Sequence, residues 1–172
     1  MHKRLTTLIG ILMITMAWIG LATPVMAIPL SPHKIIPMAL FSFSGTRPNN
    51  LGVQAGKLSP CPNSPNCVSS QSSDLEHKIE PIRYKGDPTK AIAELKTVIQ
   101  SLERTKIISE TEDYLYAEFT SALMGYVDDV EFYLNRDGGV IEVRSASRLG
   151  QSDLGVNRKR VEAIRTKLQD MA

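Results

Sequence analysis

The chain has only two cysteines and three histidines, so it is poor in the side chains that build thiolate- and imidazole-rich metal centres. A structural zinc site takes four such ligands. His2 falls in a segment read below as an export signal and His33 in a linker, which leaves only His77 near the cysteine pair. No metal and no other cofactor is expected. Excess charge is also missing. The formal net charge of +2 includes Lys3 and Arg4, and no acidic residue precedes Asp74, so residues 28–172 balance 18 basic against 18 acidic side chains. A balanced chain lacks the broad basic surface on which nucleic-acid binding depends. There is no internal repeat, no twin arginine, and no cysteine just after the apolar run at which a lipid could be attached.

That apolar run is the clearest positive feature. Met1-His2-Lys3-Arg4 forms a basic head, Leu5 to Leu21 is almost wholly apolar, and Ala22-Thr23-Pro24-Val25-Met26-Ala27 ends on the small residue that signal peptidase cuts after. Residues 1–27 are read as a signal peptide cleaved after Ala27, which delivers the chain to the periplasm or the thylakoid lumen. A retained anchor is the competing reading, but the run is slightly short for a bilayer span and ends in a cleavage site. Contact with a membrane is expected only through an uncleaved signal. Residues 28–57, rich in Pro, Gly, Ser and Asn, read as an extended leader. Residues 58–172 are the size of one domain.

Cys61-Pro62-Asn63-Ser64-Pro65-Asn66-Cys67 holds both thiols. In an exported chain an even, closely spaced pair reads first as a disulfide between Cys61 and Cys67. A thiol-redox role lacks the Cys-x-x-Cys spacing, and a metal role lacks ligands. Next, Ile79 to Tyr84 suggests a strand that Pro81 confines to an edge. Asp87-Pro88 supplies an N-cap and first-turn proline, and Ala91, Ile92, Leu95, Val98, Ile99 and Leu102 recur at helical spacing. Thr105 to Ser109, Asp113 to Thr120, Val127 to Asn135 and Val140 to Arg148 read as strands. Asp137-Gly138 is expected to supply the positive φ angles of a tight turn. Counting back from it sets Leu134 against Ile141, Phe132 against Val143 and Glu131 against Arg144, pairing apolar with apolar and acid with base. A last helix runs from about Gly155 to Gln169, capped by Ser152 or Asp153, with Val161, Ile164 and Leu168 as its stripe and Asn157 one turn earlier. The expected fold is α+β: an antiparallel sheet of about four strands, two helices packed on one face, in the order β-α-β-β-β-β-α.

Helices on one face leave the other to Tyr116, Glu118, Asp129, Glu131, Tyr133, Glu142, Arg144 and Arg148. Glu131 and Arg144 form a cross-strand ion pair. Asp128 and Asp129, adjacent on a strand, point to opposite faces and cannot work as an acid–base pair. The stretch Arg144-Ser145-Ala146-Ser147-Arg148, leading through Gly150 to Asp153 into Asn157 and Arg158, offers hydroxyls, amides and guanidiniums at a helix start. That chemistry suits a phosphate or carboxylate; the competing reading is a loop that satisfies its own backbone. The candidate ligand-binding residues are therefore Asp129, Glu131, Arg144, Ser145, Ser147, Arg148, Asn157 and Arg158.

Gly45-Thr46-Arg47-Pro48 with Leu51-Gly52-Val53, the cysteine segment through Val68-Ser69-Ser70, and Val127-Asp128-Asp129-Val130-Glu131-Phe132 with Arg144 to Arg148 and Asp153 to Arg158 together resemble the family of domain of unknown function 1499. The resemblance covers roughly residues 45–168 and implies a bacterial source, cyanobacteria included, or a plastid-bearing eukaryote. It carries no catalytic residues. The expected function is a non-enzymatic binding or assembly-type domain that takes an extracytoplasmic protein partner or a small anionic ligand on its polar Asp/Glu/Arg/Asn face. The alternative is a hydrolase-like or thiol-redox enzyme that uses the same cluster or the cysteines.

Overall fold

The structure, a computed structural model, describes residues 43–171. The expected signal peptide and the first part of the leader lie outside them. The elements are β1 (Cys67–Ser69), β2 (Ile82–Arg83), α1 (Pro88–Ser101), β3 (Thr105–Glu110), β4 (Tyr114–Thr120), β5 (Val127–Asn135), β6 (Val140–Ser147) and α2 (Val156–Gln169). Among the described residues no helix is long and apolar enough to cross a membrane. The class is α+β as expected, but the antiparallel sheet has six strands in the order β1-β6-β5-β4-β3, with β2 also on β6. The strand that sequence reasoning missed is β1. Cys67-Val68-Ser69 is too short to show alternation, and it pairs with Ala146, Ser145 and Arg144 far along the chain.

β3 to β6 form a meander because each alternates apolar and polar side chains in step with its neighbour. Leu134 faces Ile141, Phe132 faces Val143 and Glu131 faces Arg144. The turn differs from expectation. Neither Asp137 nor Gly138 has positive φ; Gly139 does, at 62°. Asn135 Oδ1 accepts the Gly138 N–H at 3.0 Å and Arg136 O accepts the Gly139 N–H at 3.3 Å. A side-chain acceptor thus holds the first half of the turn right-handed, and the left-handed residue falls one position later. Between Ile107 and Ser109 the β3–β4 register shifts by a bulge.

The apolar face of the sheet is covered by both helices. α1 begins where Asp87 Oδ1 accepts the Thr89 N–H at 2.8 Å and buries Ala91, Ile92, Leu95, Val98 and Ile99. α2 buries Val161 and Ile164 beside them, over Leu115, Val130, Phe132, Ile141 and Val143. Its N-cap position is Gly155 in the left-handed region rather than Ser152 or Asp153. Asp153 still does the electrostatic part of the work, accepting the N–H groups of Gly155 (3.0 Å) and Asn157 (2.7 Å). Arg158 and Arg165 reach outward from α2 to the carbonyls of Glu76 and Lys78 and of Glu80 and Pro81. These carbonyls precede β2, where Pro81 prevents a longer strand.

Cys61 and Cys67 form a disulfide with Cα atoms 5.7 Å apart. Removing both thiols as Cys61→Ala/Cys67→Ala is expected to lower stability by about 2 kcal/mol, because the closed loop is short. Urea unfolding of the double variant checks this; an unchanged midpoint would show that the crosslink leaves the unfolded chain no more restricted. Next to it, Ser70 completes the outer edge of β6 between β1 and β2. Its N–H donates to Val143 O (2.9 Å) and its hydroxyl accepts from Val143 N (2.8 Å) while donating to Glu142 (2.6 Å).

Candidate functional site

Strand alternation divides the expected ligand-binding residues between the two faces of the sheet. Asp129, Glu131, Arg144 and Arg148 lie on the face away from the helices. Ser145, Ser147 and Asn157 lie on the helix side, and Arg158 is taken up by the carbonyls of Glu76 and Lys78.

The helix-side group is a closed network around Asn157, which is fully buried. Its Nδ2 donates to Asn66 O and Ser147 Oγ, both at 3.0 Å. Its Oδ1 accepts from Ser145 Oγ and Arg160 Nη1, both at 2.6 Å. Arg160 pairs with Asp128 and lies 4.8 Å over the Phe119 ring. Asn66 also donates to Gly150 O at 2.7 Å. Every amide position of Asn157 is filled, so this group locks the cysteine loop, β6 and the start of α2 together. The candidate ligand-binding residues did not include Asn66, Asp128 or Arg160. Arg160 sits three residues from Asn157, one helical turn, which is the signal that was available.

The opposite face is covered. Residues 43–57, expected as a leader, run across it as a strap. Gly52 N–H donates to Glu131 Oε1 at 2.7 Å, Arg148 Nη1 reaches Ser44 O at 3.4 Å, and Arg47 pairs with Glu118 at 2.6 Å. Beneath it Glu131 is 0% and Asp129 1% exposed. Asp129 receives Arg148 through Nε at 2.9 Å and Nη2 at 2.7 Å, and the Tyr116 hydroxyl at 2.5 Å. Arg148 bonds Glu118 as well. Burial, then the hydrogen bond to Asp129, pushes the Tyr116 hydroxyl above its ordinary pKa. Burial and the Glu131 charge do the same to Tyr114, which donates to Glu131 Oε1 at 2.9 Å. Both phenols therefore stay protonated and donate.

Burial alone would raise the Glu118 carboxyl, but hydrogen bonds from Arg148 and Arg47 outweigh it and hold the group below its ordinary value. A depressed folded pKa means that the contribution to stability is fully present above the unfolded value, about 4.3, and is lost as pH falls through the folded value. The strap's grip at Arg47 is expected to weaken only below about pH 4. Amide protection in residues 46–53, taken relative to the intrinsic exchange rate at each pH, checks this, and protection that already falls on the neutral side of that point would contradict it.

An open cleft of about 730 Å³ lies between the strap and the disulfide loop. Gly52, Lys57, Cys61, Ser69, Gln71 and His77 are among its walls. Gln71 bridges it, accepting from Leu58 N at 2.8 Å and donating to Gly56 O at 3.0 Å. His77 Nδ1 donates to Cys67 O at 3.0 Å, which turns Nε2 toward Asp74 Oδ2, 3.4 Å away. Sequence reasoning did not reach this cleft, because its lining comes from three stretches: the expected leader, the stapled loop, and residues 69–77 that follow it.

No curated protein and no solved structure matches the chain. The segments that carry the sequence resemblance are the ones the fold joins: Asn66 of the cysteine loop, Ser145 and Ser147 of β6 and Asn157 of α2 meet in one hydrogen-bonded group, and Gly52 reaches Glu131 from the strap. A family model covers the same domain, matching residues 57–168, and the chain belongs to that family, described as protein of unknown function (DUF1499).

Proposed function

We propose that this chain is an exported, non-enzymatic binding domain whose ligand surface is the cleft between the strap and the Cys61–Cys67 loop. The observation that carries the reading is a contrast. Asp129, Glu118 and Arg148 are engaged with one another on one face of the sheet, and Asn157, Arg160 and Asp128 on the other, whereas the cleft is concave and lined by amides, hydroxyls, one lysine, one histidine and one aspartate. In this reading the charged cluster is the scaffold that positions the cleft wall. The disulfide supports export, because such crosslinks persist outside the reducing cytosol.

Amide chemical shifts of the mature protein, titrated with small carboxylates, phosphates and neutral sugars, test the reading. Saturable shifts at Gln54, Gln71 and His77 with one of these classes are expected. Shifts absent from the cleft with all of them would end it.

A further inference from the structure

Arg144 differs from the other arginines of the two networks. Arg148 donates through Nε, Nη1 and Nη2 to acceptors on three sides, and Arg160 spends Nη1 and Nη2 on Ser145, Asn157 and Asp128. The Arg144 side chain is only 7% exposed, yet it makes one hydrogen bond, Nη1 to Glu131 Oε2 at 3.3 Å. Its buried Nε has no acceptor, and Nη2 donates to no acceptor among the described residues. A buried charged donor without a partner destabilises the fold that contains it, so stability alone does not account for this arrangement.

Arg144 does not itself line the cleft, but residues on either side of it do. Ser69, the cross-strand neighbour of Arg144, lines the cleft, and so does Gly52, which holds the same carboxylate that Arg144 pairs with. The Nε–Nη2 edge of a guanidinium is a planar fork of two parallel N–H groups, a match for the two oxygens of a carboxylate or phosphate. Glu131 neutralises Arg144 on its other side and receives Gly52 and Tyr114 as well, which fixes the fork in place.

We infer that Arg144 is the anchor of an oxyanion site: a small carboxylate or phosphate entering from the cleft between Ser69 and Gly52 is held by the Nε–Nη2 edge. This deepens the cleft reading by naming the ligand's charged group and the residue that takes it.

The test is a titration of the wild-type protein with succinate in one arm and inorganic phosphate in the other, following the Arg144 Nε–H resonance together with the amides of Gln54, Gln71 and His77. A saturable shift of Nε–H with either anion is expected, and the arm that saturates at lower concentration identifies the oxyanion class. Arg144→Lys keeps the charge opposite Glu131 but removes the fork, and should weaken binding about tenfold or more. Cleft amides that shift while Nε–H does not, or a lysine variant that binds equally well, would overturn the anchor and leave the cleft reading standing. If neither the cleft amides nor Nε–H responds to any ligand class, both fail.

Discussion

Asn157→Leu is expected to destabilise the fold by about 3–5 kcal/mol, a large share of what a domain of this size possesses. The side chain is fully buried and joins four groups from three parts of the chain: the Asn66 carbonyl, the Ser145 and Ser147 hydroxyls and the Arg160 guanidinium. Leucine has the same branching but a larger volume, so the loss is not a cavity effect and includes some overpacking strain. Most of it comes from leaving these polar groups buried without partners, at about 1–3 kcal/mol each before relaxation. Arg160 keeps Asp128 and Ser145, which keeps the total below the simple sum. Arg158→Ala, one residue along and facing loop carbonyls near solvent, should lose far less. Urea unfolding of the two variants decides the matter; similar losses would show that the Asn157 network carries no special weight.

The second large effect is expected at Glu131. Glu131→Gln preserves the shape of the side chain and leaves an amide oxygen for Gly52 and Tyr114 to donate to, but it removes the one charge that, among the described residues, is paired with buried Arg144 and points an N–H₂ group at the guanidinium. Taking away one partner of a buried pair costs about 3–5 kcal/mol, because the remaining ion is stranded in low dielectric. The loss should appear in global unfolding and also locally, as faster amide exchange at Gly52, which is tied to this carboxylate. A variant that unfolds like the wild type, or that leaves Gly52 protected, would mean that Glu131 does not hold the strap.

Much of the fold was legible because it rests on periodicity. Val130, Phe132 and Leu134 alternate against Ile141 and Val143, so the β5–β6 register could be counted, and the Ala91 to Ile99 spacing with Asp87-Pro88 in front marked α1 and its start. What escaped depends on single hydrogen bonds that periodicity does not encode. β1 is three residues long and is recognised only through its pairing with β6. The turn after Asn135 is decided by that residue's own side chain. Residues 43–57 have a linker's composition, yet the strap is fastened by the Arg47 side chain together with the Gly52 N–H and the Ser44 carbonyl, and these two backbone groups leave no trace in residue type. For the candidate site, alternation already separated Arg144 and Arg148 from Ser145 and Ser147. Reading the five residues as one constellation joined two faces that the sheet keeps apart. The strap over the charged face, and therefore the cleft at its margin, had no signal in composition at all.

The register break in β3 has its own consequence. Both faces of the sheet are covered over much of their area, one by helices and one by the strap, and the outer side of β1 is partly taken up by His77 and Ile79, so β3 is the longer edge along which another extended chain could pair. The shift between Ile107 and Ser109 spoils the regular spacing that such a chain would need, and Lys106 stands exposed beside it. An edge that is bulged and charged resists strand-by-strand growth between copies, so β3 is a poor template for a second copy of the chain.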